Sequence, residues 1–275
     1  MAPPAGPTAA WEHAASLASM LLGAHVPIAD PLGAAAERGA SVVQVFLSSP
    51  RMWAPPKPRP DAEVLRDAPL PVYVHSPYLL NPASADEVVR ARSGELLQAT
   101  CTAAGTIGAR GVVVHGGQLG PGEDPALGAV RWRETLRRLE TTVPVLIEDT
   151  AGGPQAVASS IDRIARLWHG LDGVGTPLGF CLDTCHLHAA GEPLAEGTAR
   201  LLAELGRIDL VHVNDSKDPL GSGRDRHENL GEGVIEDMEG SGELLRLTIR
   251  FSDHGRKRVL ARYARLTAVE EDHSF

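Results

Sequence analysis

The feature that most constrains this chain is a series of short apolar runs, most of which end in a side chain able to bind a metal. The runs fall at 20–25, 41–47, 71–75, 111–115, 144–148, 178–183 and 209–212. Six of them close on His25, His75, His115, Glu148, Asp183 and His212. Continuous apolar stretches such as GVVVH and PVLIE suit strands buried on both faces, which is the pattern of a parallel sheet covered by helices. Helical segments are predicted between them, at 31–38, 62–67, 84–104, 126–140, 155–168 and 193–205. Seven strand–helix units in 275 residues point to an α/β fold of the (β/α)8 barrel type. A doubly wound open sheet is the runner-up. It is disfavoured because no GxGxxG follows the first strand and no Walker loop is present.

In a parallel barrel every strand ends at the same mouth, where active sites form. One histidine at a strand end is ordinarily a satisfied structural residue, but six such side chains on six strands imply a shared pocket. Two segments add to it. CLDTCHLHAAG (181–191) carries Asp183 and His186 three residues apart, on a stretch read as a loop after the sixth strand. GSGRDRHENLGEG (221–233) carries Asp225 and His227, a spacing that shares one side in extended backbone, among glycines that permit a tight fold. The mixed nitrogen and oxygen donors suit zinc, and also manganese or iron. Cys181 and Cys185 are read as packing residues, because CxxxC is not a zinc-knuckle spacing. More donors than one zinc needs implies a cluster of metals, the arrangement that serves phosphate-ester hydrolysis.

Composition narrows the classes further. The formal charge of −9 is not the footprint of a protein that binds nucleic acid through overall charge, although bound cations can make a local positive site. Three cysteines are too few for a disulfide scaffold and fit a reducing cytoplasm. No apolar run is long enough for a membrane span, and the start lacks the basic region of a secretory signal. Residues 1–18 read as a loose Ala- and Pro-rich leader, 19–235 as the barrel domain and 236–275 as a divergent segment. In that segment 245–251 alternates like a half-buried strand, and the basic stretch 255–266 reads as an exposed helix. The eighth barrel unit is therefore expected to be atypical or incomplete.

The ordered motifs GAHV (23–26), HSPYLLN (75–81), VVHGG (113–117), IEDTAG (147–152), CLDTCHLHAAG (181–191), HVNDSK (212–217) and RDRHENLGEG (224–233) make the chain resemble endonuclease IV, the metal-dependent apurinic/apyrimidinic endonuclease family of xylose-isomerase-like barrels. The resemblance runs from about residue 22 to residue 235. It implies a site of three zinc ions, with manganese as the other candidate, held by His75, His115, Glu148, Asp183, His186, His212, Asp225 and His227. These are the donors found from spacing, with His25 left over as a pocket-lining group. Glu148 would bridge two metals and help hold the attacking hydroxide. The implied reaction cuts the phosphodiester 5′ to an abasic site in double-stranded DNA during base excision repair. Arg51 in SSPRMW, with Tyr78 and Leu79 in HSPYLLN, would enter the duplex, unless Tyr78 and Leu79 only seal the barrel mouth. Lys217, Arg224 and Arg226 are candidate phosphate contacts, or solvated loop charges. A monomer is expected.

The chain departs from the family in one respect. The family carries a further glutamate in a Leu-Glu-Thr type motif at its last strand, and nothing after Ile235 matches it; Asp253 is the nearest carboxylate to a plausible strand end. Two alternatives therefore stay beside the repair hydrolase. One is a divalent-metal sugar isomerase or epimerase of the same superfamily. The other is a catalytically impaired binder of damaged DNA.

Overall fold

In the computed structural model the described residues are 21–228 together with the strands at 233–239, 246–251 and 255–260. The leader at 1–18 and Asp253 lie outside them. The chain divides into two compact units, one ending at Arg226 and the other beginning at His227.

The first unit is built on a seven-stranded sheet in which sequence order is spatial order. Its strands are β1 (Gly23–His25), β2 (Val42–Phe46), β3 (Val72–His75), β4 (Val112–His115), β5 (Val145–Glu148), β6 (Leu178–Asp183) and β7 (Leu210–His212). Every neighbouring pair is parallel. The crossovers carry helices α1 (Pro31–Arg38), α2 (Ala62–Asp67), α3 (Glu87–Thr106), α4 (Ala126–Arg137), α5 (Ile161–Gly170), α6 (Thr184–Ala189) and α7 (Leu194–Leu205). Among the described residues no eighth parallel strand joins β7 to β1, in line with the incomplete final unit expected from sequence. A two-residue strand, β8 (Asp215–Ser216), follows β7.

Strand periodicity sorts the side chains into two layers. Val43, Val45, Val72, Val74, Val112, Val114, Val145, Ile147, Phe180 and Leu182 join the large core shared with the helices. The intervening residues Val113, Leu146 and Cys181, with Tyr73 and Leu210 against them, form a separate small cluster on the opposite, inner face of the sheet. His75, His115, Glu148, Asp183 and His212 each stand two positions beyond a member of that inner cluster. They therefore occupy the same face, one layer nearer the C-terminal strand ends.

Local chemistry explains where several helices differ from their predicted bounds. α3 starts at Glu87 rather than 84 because the Asp86 carboxylate accepts from the N–H groups of Val88 and Val89, at 2.8 and 3.3 Å. α4 stops at Arg137 rather than 140, and just beyond it Gln98 of α3 engages both the N–H and the carbonyl of Glu140, each at 2.9 Å. The predicted helix at 155–168 begins only at Ile161. The backbone of 155–158 is instead used by the loops after β4 and β5, through Leu119 N–H to Gln155 O, Val157 N–H to Gly117 O and Thr150 N–H to Ala158 O.

The second unit contains β9 (His227–Glu228), β10 (Gly233–Glu239), β11 (Arg246–Phe251) and β12 (Gly255–Leu260). The last three form an antiparallel sheet, with Ile235 opposite Ile249 and Arg246 opposite Leu260. The strand predicted at 245–251 is present. The helix predicted at 255–266 is corrected: 255–260 is strand, because its backbone pairs with β11 along its whole length and pairing overrides the helix preference of Arg and Lys. Residues 261–266 lie outside the description.

Candidate metal centre

Glu148 stands at the end of β5 with 1% of its surface exposed, and side chains from three other strands close on it. His75 Nε2 lies 3.1 Å and His115 Nε2 3.2 Å from its Oε2. His212 Nδ1 lies 2.8 Å and His186 Nδ1 3.8 Å from its Oε1. Strand register puts them there, since His115 is level with Glu148 across β4–β5 and Asp183 is level with His212 across β6–β7.

The segment after β6 corrects the sequence reading. CLDTCHLHAAG was expected to turn into a loop; it forms the short helix α6, and Asp183 is both the last residue of β6 and the N-cap of that helix. Its Oδ1 accepts from the N–H groups of Cys185 and His186 at 2.8 and 3.1 Å. Its Oδ2 accepts from the Asn214 amide at 2.6 Å and lies 3.8 Å from His212 Nδ1. The helical turn carries His186 back over Glu148 and sets its Nε2 3.3 Å from Asp225 Oδ2. The structure thus brings His75, His115, Glu148, Asp183, His186, His212 and Asp225 into one constellation. His227 opens the second unit.

The electrostatics are those of a donor set competing for protons. Burial pushes the Glu148 carboxyl up, but hydrogen bonds from His115, His212 and His75 outweigh it and hold the group well below the usual carboxylate range. Burial alone would lower His186; Asp225, Asp183, Asp149 and Glu148 raise it to about 10. Atoms of His75, His115 and Glu148 lie within 4.8 Å of one another, as do those of Glu148, Asp183 and His186, so Glu148 is common to both groups. Imidazole nitrogens and carboxylate oxygens crowded this closely, in a buried pocket, fit a borderline cation such as zinc. Cys181 is also within that reach of Glu148 and His212. It packs with Val113 and Leu146, and burial holds its thiol well above its ordinary range.

The rim carries the other predicted residues. Tyr78 is 49% exposed; its ring stacks on His115 at 5.8 Å and 15° and meets Phe46 edge-on at 5.2 Å. Its N–H donates to Pro50 O at 2.9 Å, which joins the Arg51 loop to the Tyr78–Leu79 loop. Arg92 lies 4.6 Å over the Trp53 ring and pins the same loop to α3. Leu79 is half-buried, and Arg51, Lys217, Arg224 and Arg226 are exposed. Arg226 pairs bidentately with Asp218, at 2.7 and 2.5 Å, and Arg224 lies 3.8 Å from the same carboxylate.

A family profile described as xylose isomerase-like TIM barrel matches residues 32–246. Probable endonuclease 4 of Mycobacterium tuberculosis (strain CDC 1551 / Oshkosh) is 56% identical over 218 residues, covering 79% of this chain and 85% of the relative. The chain belongs to the endonuclease IV family of xylose isomerase-like TIM barrels. Probable endonuclease 4 of Mycobacterium marinum (strain ATCC BAA-535 / M) is 54% identical over 235 residues, covering 85% and 90%. Among solved structures, endonuclease IV from Thermus thermophilus superposes with a TM-score of 0.65 at 31% identity, covering 77% of this chain and 82% of that one.

Two residues around this site were missed in the sequence. Asp149 is fully buried; its Oδ1 accepts from the Asp183 N–H at 2.6 Å, its backbone carbonyl meets His186 Nδ1 at 2.9 Å, and burial pushes its carboxyl well above the usual range. Gln44 lies inside β2, level with His25 and Tyr73 on the neighbouring strands. A carboxylate directly after Glu148, and an amide inside an otherwise apolar strand, were the available signals. Among the described residues no helix is long and apolar enough to cross a membrane.

Proposed function

We propose that this chain is a zinc-dependent endonuclease that hydrolyses the DNA phosphodiester 5′ to an abasic site. Zinc would be held by His75, His115, Glu148, Asp183, His186, His212, Asp225 and His227, and Arg51, Tyr78, Leu79, Lys217, Arg224 and Arg226 would meet the DNA. The observation that carries this reading is Glu148: one buried carboxylate approached by four imidazoles, in a family whose relatives are named endonuclease 4. When bound, zinc supplies Lewis acidity, lowering the pKa of water toward neutrality and neutralising phosphate charge.

The chain's own residues supply the rest. Glu148, kept anionic by its imidazole neighbours, would accept a hydrogen bond from the attacking water. His75 is oriented by its Nδ1, 2.7 Å from Ser76 O, which leaves Nε2 facing the pocket. The exposed Tyr78 ring beside His115 offers a surface on which a base can stack as the lesion leaves the helix. The anchoring of the Arg51 and Tyr78 loops to each other presents both side chains from one rim.

The deciding experiment is a nicking assay on a duplex with a single tetrahydrofuran abasic analogue, in the presence of zinc. A single cut 5′ to the lesion, leaving a 3′-hydroxyl that a polymerase extends, is the expected product. Binding of the duplex without a nick would refute the enzyme assignment. Metal analysis separates the repair reading from the isomerase one: several zinc ions per chain support the first, one manganese or cobalt the second.

A further inference from the structure

We infer that Gln44 is a positioning residue that fixes the ring of His212 and selects the nitrogen that His212 offers to a cation. The inference rests on the metal-centre reading above and names a determinant of it. Gln44 is the one polar residue of β2, VVQVF. Val43 and Val45 on either side belong to the helix-facing core, so Gln44 points to the inner face, where it is buried. From there it spans the barrel mouth to the far side of the sheet, and its Oε1 lies 3.0 Å from His212 Nε2. Its Nε2 lies 3.3 Å from His25 Nδ1.

Hydrogen-bond chemistry turns this placement into a choice of tautomer. The other nitrogen of His212, Nδ1, faces Glu148 Oε1 and Asp183 Oδ2 and is the atom turned toward the donor cluster. A neutral imidazole carries one N–H and one lone pair. If Nδ1 gives its lone pair to a cation, Nε2 carries the proton and needs an acceptor. The Gln44 carbonyl is that acceptor, and the amide NH2 is satisfied by donating to His25 Nδ1. Reversing the amide would set its NH2 against the His212 N–H, two donors facing each other, and leave its oxygen on the lone pair of His25. Such outer partners of metal-binding histidines set ring orientation and basicity. His25, left over as a pocket-lining group by its motif, thereby gains a role: in the tautomer that leaves Nδ1 unprotonated it accepts from the amide NH2 and supports the orientation that the His212 N–H requires.

The test compares Gln44→Met, which keeps length but offers only a weakly accepting thioether, with Gln44→Glu, which keeps an acceptor oxygen opposite His212. Zinc affinity is measured by competition with a chromogenic chelator on the full chain. Thermal unfolding of the metal-stripped proteins reports folding. Gln44→Met should bind at least one zinc ion about 10- to 100-fold more weakly, while Gln44→Glu, which keeps the acceptor, should escape that loss. Nitrogen-15 spectra of the zinc-loaded parent should place the His212 proton on Nε2. Parent-like affinity in Gln44→Met, an equal loss in Gln44→Glu, or a His212 proton on Nδ1 would each overturn the inference. A parent protein that binds no zinc would instead sink the metal-centre reading, and this inference with it.

Discussion

Trp132 offers a prediction whose size follows from its surroundings. It is fully buried on the face of α4 that also buries Gly128 and Leu136. Its indole Nε1 donates to the carbonyl of Gly116 at 2.8 Å. Gly116 directly follows His115, so this bond ties the helix layer to a strand end of the metal centre. Trp132→Phe keeps an aromatic ring but removes the donor. The Gly116 carbonyl is then left unpaired in the interior, at about 1–3 kcal/mol. The smaller ring also leaves a void of roughly 40 Å³, worth about 1 kcal/mol. The sum is about 2–4 kcal/mol, which for a domain of this size lowers Tm by roughly 4–16 °C. Urea unfolding followed by far-ultraviolet circular dichroism reads the change as a lower midpoint at unchanged slope. A loss below about 1 kcal/mol would refute the reasoning, since it would mean that the carbonyl had found another donor.

Three further outcomes are expected. Glu148→Gln should cut cleavage of an abasic duplex by roughly a hundredfold or more while circular dichroism shows the fold retained; nicking within about tenfold of the parent would contradict its role. Tyr78→Ala combined with Leu79→Ala should weaken binding to the abasic duplex by roughly ten- to a hundredfold in fluorescence anisotropy with zinc content unchanged, and a loss of zinc would instead make these residues structural. In the metal-free protein, the stabilisation from Glu148, whose carboxyl is depressed, is present above the ordinary carboxylate range and is lost as pH falls through its lowered value. That from His186, raised from 6.5 to about 10, is complete below 6.5 and is lost as pH rises toward 10. Tm measured in chelator should therefore fall between pH 6.5 and 10, and a flat or rising profile over that interval would contradict the ion-pair assignment.

Much of this could be read in the sequence because strand ends in a parallel sheet are conspicuous. An apolar run that stops on His or Glu announces both the element and the direction of its last side chain, and His75, His115, Glu148, Asp183 and His212 all close their strands. α6 was less legible, because Asp183 serves two elements at once: as the last residue of β6 it hides its second role as a helix cap. Gln44 and Asp149 were missed because their parts are expressed only through partners distant in sequence, His212 for Gln44 and Asp183 for Asp149. The last strand was misread for a related reason. Arg and Lys favour helix locally, and only the pairing of β12 with β11 decides otherwise.

The placement of the donors also separates two properties that are easily confused, metal affinity and barrel closure. The four imidazoles that approach Glu148 come from β3, β4, β7 and α6, that is, from one uninterrupted run of parallel strands and the helix that follows β6. The donor layer sits directly on the inner cluster of Val113, Leu146 and Cys181, which fixes its floor without any contribution from an eighth strand. What the described sheet leaves open is its margin. β1 and β7 each pair on one side only in the described sheet, and Val211 and Val213 at one margin, with Leu21 and Leu22 at the other, are exposed. Unpaired edges bearing apolar side chains invite association. A defect in closure should therefore show first as aggregation and lowered stability, while the shared carboxylate and its imidazoles persist as long as β3 to β7 stay in register.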